Sequence, residues 1–373
     1  MGPVVSPGRP GSIALMGGLN LSTLRGMPIR SSSVTLRDVA RESGVSITTV
    51  SRIVNGRESG VPIRGETRAR VLSMAASLGY KPNLLARGLR GSRSSLLGVI
   101  ARDISDPFHL QVLRGINAAA TARDYRVFLG HVDYRPDVAL TYGSMFERSH
   151  ADGVLMIGDI EGGEPSLDVY AEQHRNIVGV TDRTSRRHFP GVYSDDVVGT
   201  RLALDHLRAL GHRRIICVSN NRTADGRLRI SQYKEFMRAN DLGDQIDVHL
   251  TDQNLASSLE EGRRIVSAFE RGVPPTAIYA TSDQIAIGLL QAAYQSGIVV
   301  PHQLSIVGFD DIDFASFTIP PLTTVSQSGV RMGRIAAEML LDMIEQGRDR
   351  DEVDDVVLEP HLIARQSTAP PPG

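Results

Sequence analysis

The 373-residue chain has one cysteine and no tryptophan, and aromatic residues make up 5% of it. A single cysteine, Cys217, excludes an internal disulfide and is typical of proteins in a reducing compartment. No run of about 18 apolar residues occurs, so no membrane-spanning helix is predicted. These absences predict a cytoplasmic protein. Because Cys217 lies in the apolar run 215–218, we expect it in a buried strand rather than as a nucleophile.

Motifs of the common catalytic and cofactor sites are also missing. The sequence has no GxGxxG, P-loop, GxSxG or HExxH motif, and no Cys/His cluster with metal-ligand spacing. By residue type alone, the acidic residues Asp310, Asp311 and Asp313 could bind a metal ion. The favoured interpretation of this cluster is a turn at the end of a strand, in which one carboxylate binds a ligand. The sequence therefore predicts no enzyme activity, no cofactor and no metal site.

Length and charge divide the chain into parts. A chain of 373 residues exceeds one ordinary core and predicts two or three folding units. Residues 34–93 carry 11 Lys and Arg against 4 Asp and Glu, whereas the chain from residue 94 onward carries 27 against 38. A basic head on an acidic body is typical of a nucleic-acid-binding module fused to a different domain.

The two ends of the chain have the composition of disordered segments. Residues 1–33 are rich in Gly, Pro and Ser and contain no convincing secretory signal. We predict that they are disordered, with Met1 or Met27 as the natural start. A disordered tail is predicted for residues 369–373.

Residues 36–55 have the pattern of two helices joined by a tight turn. Apolar residues recur at helical spacing in both halves. Between them, Gly44 can end the first helix and Ser46 can cap the second. A third helix is expected from about residue 66 to residue 78. The pattern predicts a helix-turn-helix head at residues 34–80, whose second helix enters the DNA major groove.

The second helix of this head has a face suited to reading bases. Ile47, Thr48 and Arg52 lie opposite its predicted core residues. An arginine can donate two hydrogen bonds to guanine, while Ile and Thr offer methyl groups to thymine. The alternative, an ordinary helical hairpin with a solvated polar face, is disfavoured by the sequence that follows.

Residues 81–94 are predicted to form a hinge helix or linker. Asn83 is a good N-cap for a short basic helix that would be marginal alone in water. In the favoured interpretation this helix orders on DNA and against its twin in a dimer. Leu89 then acts as an apolar wedge in the minor groove. In the alternative, the segment is a plain linker whose leucines pack on the next domain.

From residue 95 onward, short apolar runs alternate with helical stretches, which predicts doubly wound parallel sheets. Two consecutive α/β units indicate two lobes with a ligand cleft at the carboxyl ends of the strands. The predicted strands are residues 96–100, 126–129, 153–157, 177–180, 215–219, 277–280 and 305–308. The predicted helices are residues 110–123, 138–150, 197–210, 229–240 and 284–296.

The sequence resembles the LacI/GalR family of bacterial transcriptional regulators over about 330 residues, from Leu36 to Thr368. The motifs that carry the resemblance occur in family order: TLRDVARESGVSITTVSRIVNG, LGYKPNLLARGL, DPFH, ALGHRRI, SD, VGFDDI, PPLTTV and LIARQST. It implies an N-terminal all-α helix-turn-helix head and an α/β two-lobed body like a periplasmic binding protein. The chain would cross three times between lobes of about 95–196 plus 329–356 and about 197–325 plus 357–368.

The resemblance also implies a function. The expected protein is an effector-responsive transcriptional regulator, most simply a repressor of sugar or carbohydrate metabolism genes. It would bind a pseudo-palindromic operator as a homodimer, with a tetramer left open. The implied DNA-facing residues are Ile47, Thr48 and Arg52 for bases, Thr49 and Ser51 for phosphates, and Leu89 for the minor groove.

The effector is expected between the lobes, and both resemblance and chemistry indicate its contacts. Rings can stack on a sugar or base, and a carboxylate with a guanidinium can grip vicinal hydroxyls. The candidates are Phe108, His109, Asp182, Arg183, Arg229, Ser282 and Asp310. His109 stands where many relatives carry Phe, so the stacking surface is smaller and the imidazole ring can titrate.

Two other functions share this body. A sugar-binding protein of a transport system is disfavoured by the basic head and the lack of a signal peptide. An α/β enzyme acting on sugars is disfavoured because no acid/base pair or nucleophile is found. Whether the effector is an inducer or a corepressor, and which compound it is, stay open at this point.

Overall fold

The computed structural model describes residues 34–54, 62–80, 93–159, 169, 172–181, 188–267 and 274–372. The chain forms two compact units, residues 1–83 and 84–373. Among the described residues, no helix combines the length and the apolar character needed to cross a membrane.

The first unit is a three-helix head with α1 at Leu36–Ser43, α2 at Ile47–Val54 and α3 at Gly65–Ser77. Thr35 and Asp38 form a reciprocal capping box at the start of α1, and Gly44 ends that helix with a left-handed φ of 65°. Ser46 Oγ then accepts the Thr49 N–H at 3.1 Å, which caps α2. The predicted helix-turn-helix is confirmed.

A small apolar core holds these three helices together. It is formed by the buried residues Val39, Ala40, Val50, Ile53, Val71 and Ala75. Helix α3 begins without a side-chain cap, since Arg64 stands at its N-cap position. The head therefore depends on local caps for α1 and α2 and on six buried side chains for its packing.

The second unit contains two six-stranded sheets, one in each lobe. The strands of the N-lobe sheet are β1 Leu96–Ala101, β2 Arg126–His131, β3 Gly153–Ile157, β4 Ile177–Val180, β5 Gly191–Ser194 and β11 Val356–Leu358. Its strand order is β11-β5-β4-β3-β1-β2, and all its pairs are parallel. Its helices are α4 Pro107–Ala122, α5 Pro136–Arg148 and α10 Gly329–Gln346.

The C-lobe repeats this architecture. Its strands are β6 Ile215–Ser219, β7 Val248–Leu250, β8 Ala277–Ala280, β9 Ser305–Asp310, β10 Thr323–Ser326 and β12 His361–Ile363. The order is β12-β10-β9-β8-β6-β7, and β10–β12 is its antiparallel pair. Its helices are α6 Asp196–Ala209, α7 Ala224–Ala239, α8 Leu255–Ser267 and α9 Asp283–Gln295, and 3-10 turns lie at Gly243–Gln245, Asp313–Phe317 and, in the N-lobe, Arg350–Glu352.

The chain crosses between the lobes after β5, after β10 and after β11, as the resemblance implies. One predicted lobe boundary is wrong: Val357 and Leu358 pair with β5 in the N-lobe, so the last crossing follows Leu358. Strands β5, β7, β10, β11 and β12 and helices α8 and α10 had not been predicted. These strands are three or four residues long, and all of them except β11 contain Ser, Thr or His, so they lack the unbroken apolar run that marks β4 and β8.

Two further predictions concern single positions. Cys217 lies in β6 with no exposed surface, and burial raises the pKa of its thiol, which confirms the interpretation as a structural residue. The predicted disordered tail is wrong at Ala369. Its backbone N–H donates to Ser305 Oγ at 3.0 Å, and its carbonyl accepts from His212 and Ser305. The predicted extension of residues 1–33 lies outside the described residues.

Candidate DNA-reading helix and candidate ligand cleft

Helix α2 presents its predicted reading residues on the surface of the head. Ile47 is 41% exposed, which is high for an isoleucine, and Thr48 is exposed beside it. Val50 and Ile53 point the other way and are buried in the head core. This orientation leaves the first turn of α2 free to enter a groove with an apolar and a hydroxyl side chain.

The remaining predicted DNA contacts are less exposed. Ser51 and Arg52 are half-buried on α2. Thr49 is also half-buried, and its Oγ1 lies 2.8 Å from Ser46 Oγ within the cap. Leu89 and the predicted hinge helix lie outside the described residues.

In the body, Arg229 and Asp310 come together at the C-lobe side of the cleft. Arg229 donates from Nε to Asp196 Oδ1 at 2.9 Å and from Nη1 to the Thr281 carbonyl at 2.6 Å. Its Nη1 lies 3.7 Å from Asp310 Oδ1, and its guanidinium lies 3.7 Å from the centre of the Phe309 ring. The prediction that Arg229 begins a helix is wrong, since α7 begins at Ala224 and Arg229 lies in its second turn.

Burial controls the charges of this pair. Burial alone lowers the pKa of Arg229, but the carboxylates of Asp196, Asp225 and Asp310 raise it above the usual value, so the guanidinium stays charged. Burial raises the pKa of Asp310 well above its usual value, against the opposing effect of Arg229. A hydroxyl group of a ligand could both donate to this carboxyl and accept from a neighbouring N–H.

Asp310 also has an unusual backbone. It is the last residue of β9 and has a φ of 118°, a backbone conformation that residues other than glycine rarely adopt. Its Oδ1 accepts a 2.6 Å hydrogen bond from Gln327 Nε2. A buried, strained carboxylate at the carboxyl end of a strand is a frequent feature of binding sites.

Phe108 and His109 lie on the N-lobe side, in the first turn of α4. The Asp106 side chain caps this helix by accepting the Phe108 N–H at 2.9 Å. Both rings are buried, at 4% and 3% exposure. His109 Nδ1 lies 2.7 Å from the Asp103 carbonyl oxygen, and burial lowers the pKa of the ring. Phe108 packs in the lobe core, so little of its face is available for stacking.

Ser282 is the N-cap of α9. Its hydroxyl accepts the Ile285 N–H at 3.3 Å, and the residue is 1% exposed. Its predicted ligand contact stays a prediction. Asp182 and Arg183 lie outside the described residues, so their predicted roles are untested as well.

An ionic cluster centred on Arg102 joins the two lobes, and the sequence analysis did not identify it. Arg102, at the end of β1, is ion-paired with Asp159 of its own lobe and lies 3.6 Å from Asp225 Oδ1 of the C-lobe. Asp159 Oδ2 in turn accepts the N–H of Ala224, the first residue of α7, at 2.9 Å. A further contact runs from Gln253 Nε2 to Asp106 Oδ2 at 3.1 Å.

Comparison with known proteins agrees with both halves of this description. The family described as "Bacterial regulatory proteins, lacI family" matches residues 35–83, and a periplasmic binding protein-like domain matches residues 204–368. The HTH-type transcriptional regulator DegA of Bacillus subtilis (strain 168) is 33% identical over 340 residues, which cover 90% of this chain and 98% of DegA. This chain belongs to the LacI family.

Solved structures of the LacI family have the same fold. The lac repressor dimer bound to operator and the anti-inducer ONPF superposes with a TM-score of 0.78 at 26% identity, covering 90% of this chain and 99% of that one. The transcriptional regulator CelR in complex with cellobiose gives a TM-score of 0.63 at 26% identity and covers the same shares. This LacI-family chain is thus a DNA-binding transcriptional regulator with an effector-binding domain, and its relatives are regulators rather than enzymes.

The acidic residues that follow β9 are engaged in ion pairs. Asp311 accepts from Arg365 Nη2 at 2.6 Å, and Asp313 pairs with Arg114 at 3.0 Å. Within the described part of the chain, no group of three His, Cys, Asp or Glu side chains is arranged to hold a metal ion.

Sequence reasoning missed Arg102, Asp159, Asp225 and Gln327. Two signals could have found part of this set. Arg102 and Asp159 each follow an apolar strand run at its carboxyl end, where ligands of open sheets collect. Asp225 stands four residues before Arg229, on the same face of α7.

Proposed function

We propose that this chain is an effector-responsive repressor of sugar or carbohydrate metabolism genes. In this proposal it acts in the cytoplasm and binds a pseudo-palindromic operator as a homodimer. The effector occupies the cleft between the lobes and changes the affinity for DNA. Membership of the LacI family supports the role as a transcriptional regulator. The residues of the head and of the body described below support the other parts of the proposal.

The DNA contacts of the proposal rest on α2. Ile47, Thr48 and Arg52 read base edges, with methyl groups toward thymine and the guanidinium toward guanine. Thr49 and Ser51 contact phosphates at the same helix end. Leu89 is proposed as the minor-groove wedge by sequence resemblance alone.

The observation that carries the effector site is the buried Arg229–Asp310 arrangement at the carboxyl end of β9. The Arg229 guanidinium is fixed by its hydrogen bond to Asp196, while the Asp310 carboxyl accepts a hydrogen bond from one amide donor, Gln327. Charge-assisted hydrogen bonds to vicinal hydroxyls suit such a pair. A sugar is the proposed effector class, and the cellobiose complex of the relative CelR agrees with this choice. His109, Phe108, Ser282, Asp182 and Arg183 are proposed as further contacts.

The homodimer is supported by an apolar patch on the C-lobe. Phe314, Phe317 and Ile319 are 64%, 81% and 93% exposed within one short segment. Exposed large apolar side chains in a cluster mark interaction surfaces. In a two-fold symmetric dimer the same patch faces its own copy, and such symmetry matches a pseudo-palindromic operator.

The test begins with selection of genomic fragments on the purified protein, since the genes next to the selected fragments indicate candidate effectors. Fluorescence anisotropy on the selected duplex then measures the response to each compound. Asp310→Ala should abolish the response and leave operator binding in the absence of effector intact, because the substitution removes the acceptor in the cleft. Asp351→Ala, at a 90% exposed side chain, is the control. A normal response in Asp310→Ala would move the effector site elsewhere.

A further inference from the structure

The helices that begin at the cleft could each offer a site for an anion. Helices α4, α6, α7 and α9 follow strands β1, β5, β6 and β8, and a helix that follows a strand of a parallel sheet begins at the carboxyl edge, where ligands bind. The first turn of a helix has unpaired N–H groups and partial positive charge, so phosphate groups commonly bind there. Whether these helix starts are vacant or occupied therefore bears on the charge of the effector.

Protein carboxylates occupy the starts of α4 and α6. Asp106 Oδ1 accepts the Phe108 N–H of α4 at 2.9 Å. Asp195 Oδ1 accepts the Val197 and Val198 N–H groups of α6 at 3.0 and 3.1 Å. A ligand phosphate at either position would have to displace an anion that is covalently tethered and therefore binds without losing translational freedom.

The starts of α7 and α9 are capped as well. Thr223 Oγ1 accepts the Gly226 N–H of α7 at 3.2 Å. In the same turn, the Ala224 N–H donates to Asp159 Oδ2 of the opposite lobe at 2.9 Å. The Ser282 hydroxyl caps α9. The chain itself thus satisfies N–H groups at all four of these helix starts.

Helix α10 also begins beside the cleft, and packing covers its first residue. It has no side-chain cap. A Cβ added at Gly329, its first residue, would lie 2.9 Å from Gln111 Oε1 and 2.9 Å from Phe108 Cε2. A position that cannot take a methyl group without displacing its neighbours leaves no room for a phosphate.

Within the described part of the chain, Arg102 and Arg229 are the buried arginines of the cleft, and both are engaged. Arg229 Nε and Nη2 lie 2.9 and 2.8 Å from Asp196 Oδ1. The side of the guanidinium that could bind a phosphate through two parallel hydrogen bonds therefore faces a carboxylate. Arg102 is ion-paired with Asp159, and a Cβ added at Gly158 would lie 3.1 Å from Arg102 Nε. Neither guanidinium presents a paired set of donors to a ligand.

The described residues of the cleft also contain more carboxylates than guanidinium groups. Besides Asp310, the carboxylates are those of Asp106, Asp159, Asp196 and Asp225, against the guanidinium groups of Arg102 and Arg229. Burial alone raises the pKa of Asp225, but the two guanidinium groups lower it to about 2, so this carboxylate is charged. The partial positive charge of the helix starts offsets part of the excess. Asp182 and Arg183, outside the described residues, add one charge of each sign.

We propose that the effector is an uncharged polyhydroxylated compound, such as a free sugar or a glycoside, and that the capped helix starts and engaged arginines of the cleft exclude phosphorylated and carboxylated compounds. The inference rests on the proposed role of the cleft as the effector site and narrows the effector class by charge. A hydroxyl group needs one donor and one acceptor, which the Asp310 carboxyl and a single Arg229 N–H can supply. A phosphate needs several converging donors, and the cleft has committed them to its own carboxylates.

Inorganic phosphate tests the occupied anion sites without DNA or effector. Asp159→Ala removes the carboxylate that binds both Arg102 and the Ala224 N–H, so it vacates an anion site between a cation and a helix start. Differential scanning calorimetry compares the unfolding temperature in about 10 mM sodium phosphate with that in sodium chloride of equal ionic strength. We expect phosphate to raise the unfolding temperature of Asp159→Ala by about 2 °C or more beyond its effect on wild type, because an anion that binds the native state stabilises it.

Asp351→Ala is the matched control, because it removes a carboxylate that is 90% exposed and lies outside the cleft. Phosphate should affect this variant as it affects wild type. Equal effects of phosphate on Asp159→Ala and wild type overturn the inference, since the Asp159 carboxylate would then occupy no anion site. If Asp159→Ala does not fold by circular dichroism, Asp225→Ala, which removes the other carboxylate beside Arg102, replaces it with the same criterion.

Pairs of compounds that differ by one phosphate group test the effector class. The genes next to the selected fragments supply the candidates, and anisotropy on the selected duplex compares each free compound with its phosphate ester. We expect phosphorylation to raise the concentration for half-maximal response by about 100-fold or more, since it brings negative charge against the carboxylates of the cleft. An effector that acts as well or better in its phosphorylated form overturns the inference while the proposed function stands. If neither form of any candidate changes DNA binding, the proposed function fails, and the phosphate experiment on Asp159→Ala still decides the inference about the anion sites.

Discussion

The head and the cleft use their functional side chains in opposite ways. In the head, Ile47 and Thr48 are exposed and lie within one helix turn of each other. In the cleft, Arg229, Asp310 and Arg102 are buried and bonded to residues from other elements. Substitutions of the exposed DNA-reading residues should therefore have little effect on folding. A buried site couples recognition to stability, since an unpaired buried charge is costly.

The comparison is tested most strongly at Arg229. Arg229→Met leaves the Asp196 and Asp310 carboxyls buried without their cation, and we expect a loss of about 3–5 kcal/mol in the free energy of unfolding of the body. Urea denaturation followed by circular dichroism measures it. Arg227→Met on the same helix is the control, because the Arg227 guanidinium is exposed and bonds to the Asn221 and Arg222 carbonyls. If both variants lost the same free energy of unfolding, burial would not make the Arg229 guanidinium more important for stability than the exposed Arg227 guanidinium.

A smaller and different effect is expected at Arg52. Arg52→Ala should relax the base preference at one operator position by about 1–3 kcal/mol. The denaturation transition of the body should stay unchanged. Competition binding against operators with single base-pair substitutions measures the preference. Arg41→Ala, which removes an exposed charge from α1, should weaken all sequences alike. If Arg52→Ala also weakens all of them equally, base readout by Arg52 is contradicted.

The smallest effect concerns pH and His109. Burial lowers the pKa of His109 below its ordinary value of 6.5, so the folded protein holds the ring neutral where the unfolded chain begins to take up a proton. Stability from this residue is present above pH 6.5 and decreases as the pH falls below it, by at most about 1.4 kcal/mol per pH unit.

The variant His109→Gln isolates that contribution, because glutamine does not titrate in this range. Urea denaturation of wild type and variant at pH 7.5 and at pH 5.5 should show that wild type loses more stability than the variant on acidification. Other buried histidines, such as His174 and His212, have lowered pKa values in both proteins, so their contributions cancel in the difference. Parallel pH profiles would place the ring of His109 in contact with solvent.

Much of the head could be predicted because its signals are local. Gly44 and Ser46 end one helix and begin the next, and the structure places both in these roles. In the body, the strands at 153–157, 177–180, 215–219 and 277–280 have the predicted bounds. Apolar runs of this length identify buried parallel strands, since neighbours on both faces are apolar. The predicted starts of α4, α5 and α7 were two to five residues late, because the first turn of each contains proline, glycine or charged residues that interrupt the apolar period.

The effector site was predicted only in part, for a reason of distance along the chain. Arg229 and Asp310 were identified by the resemblance together with the chemistry of their side chains. The partner that fixes Arg229 is Asp196, 33 residues away, and the arginine that joins the lobes, Arg102, meets Asp225 from 123 positions away. Contacts between residues so far apart in the chain leave no local sequence pattern. The sequence by itself determined the kind of elements and the family, since caps, periods and motifs act over a few residues. Only the tertiary structure decided which charges share the cleft and which of them pair across the lobes, because burial and pairing arise when distant strands and helices pack together.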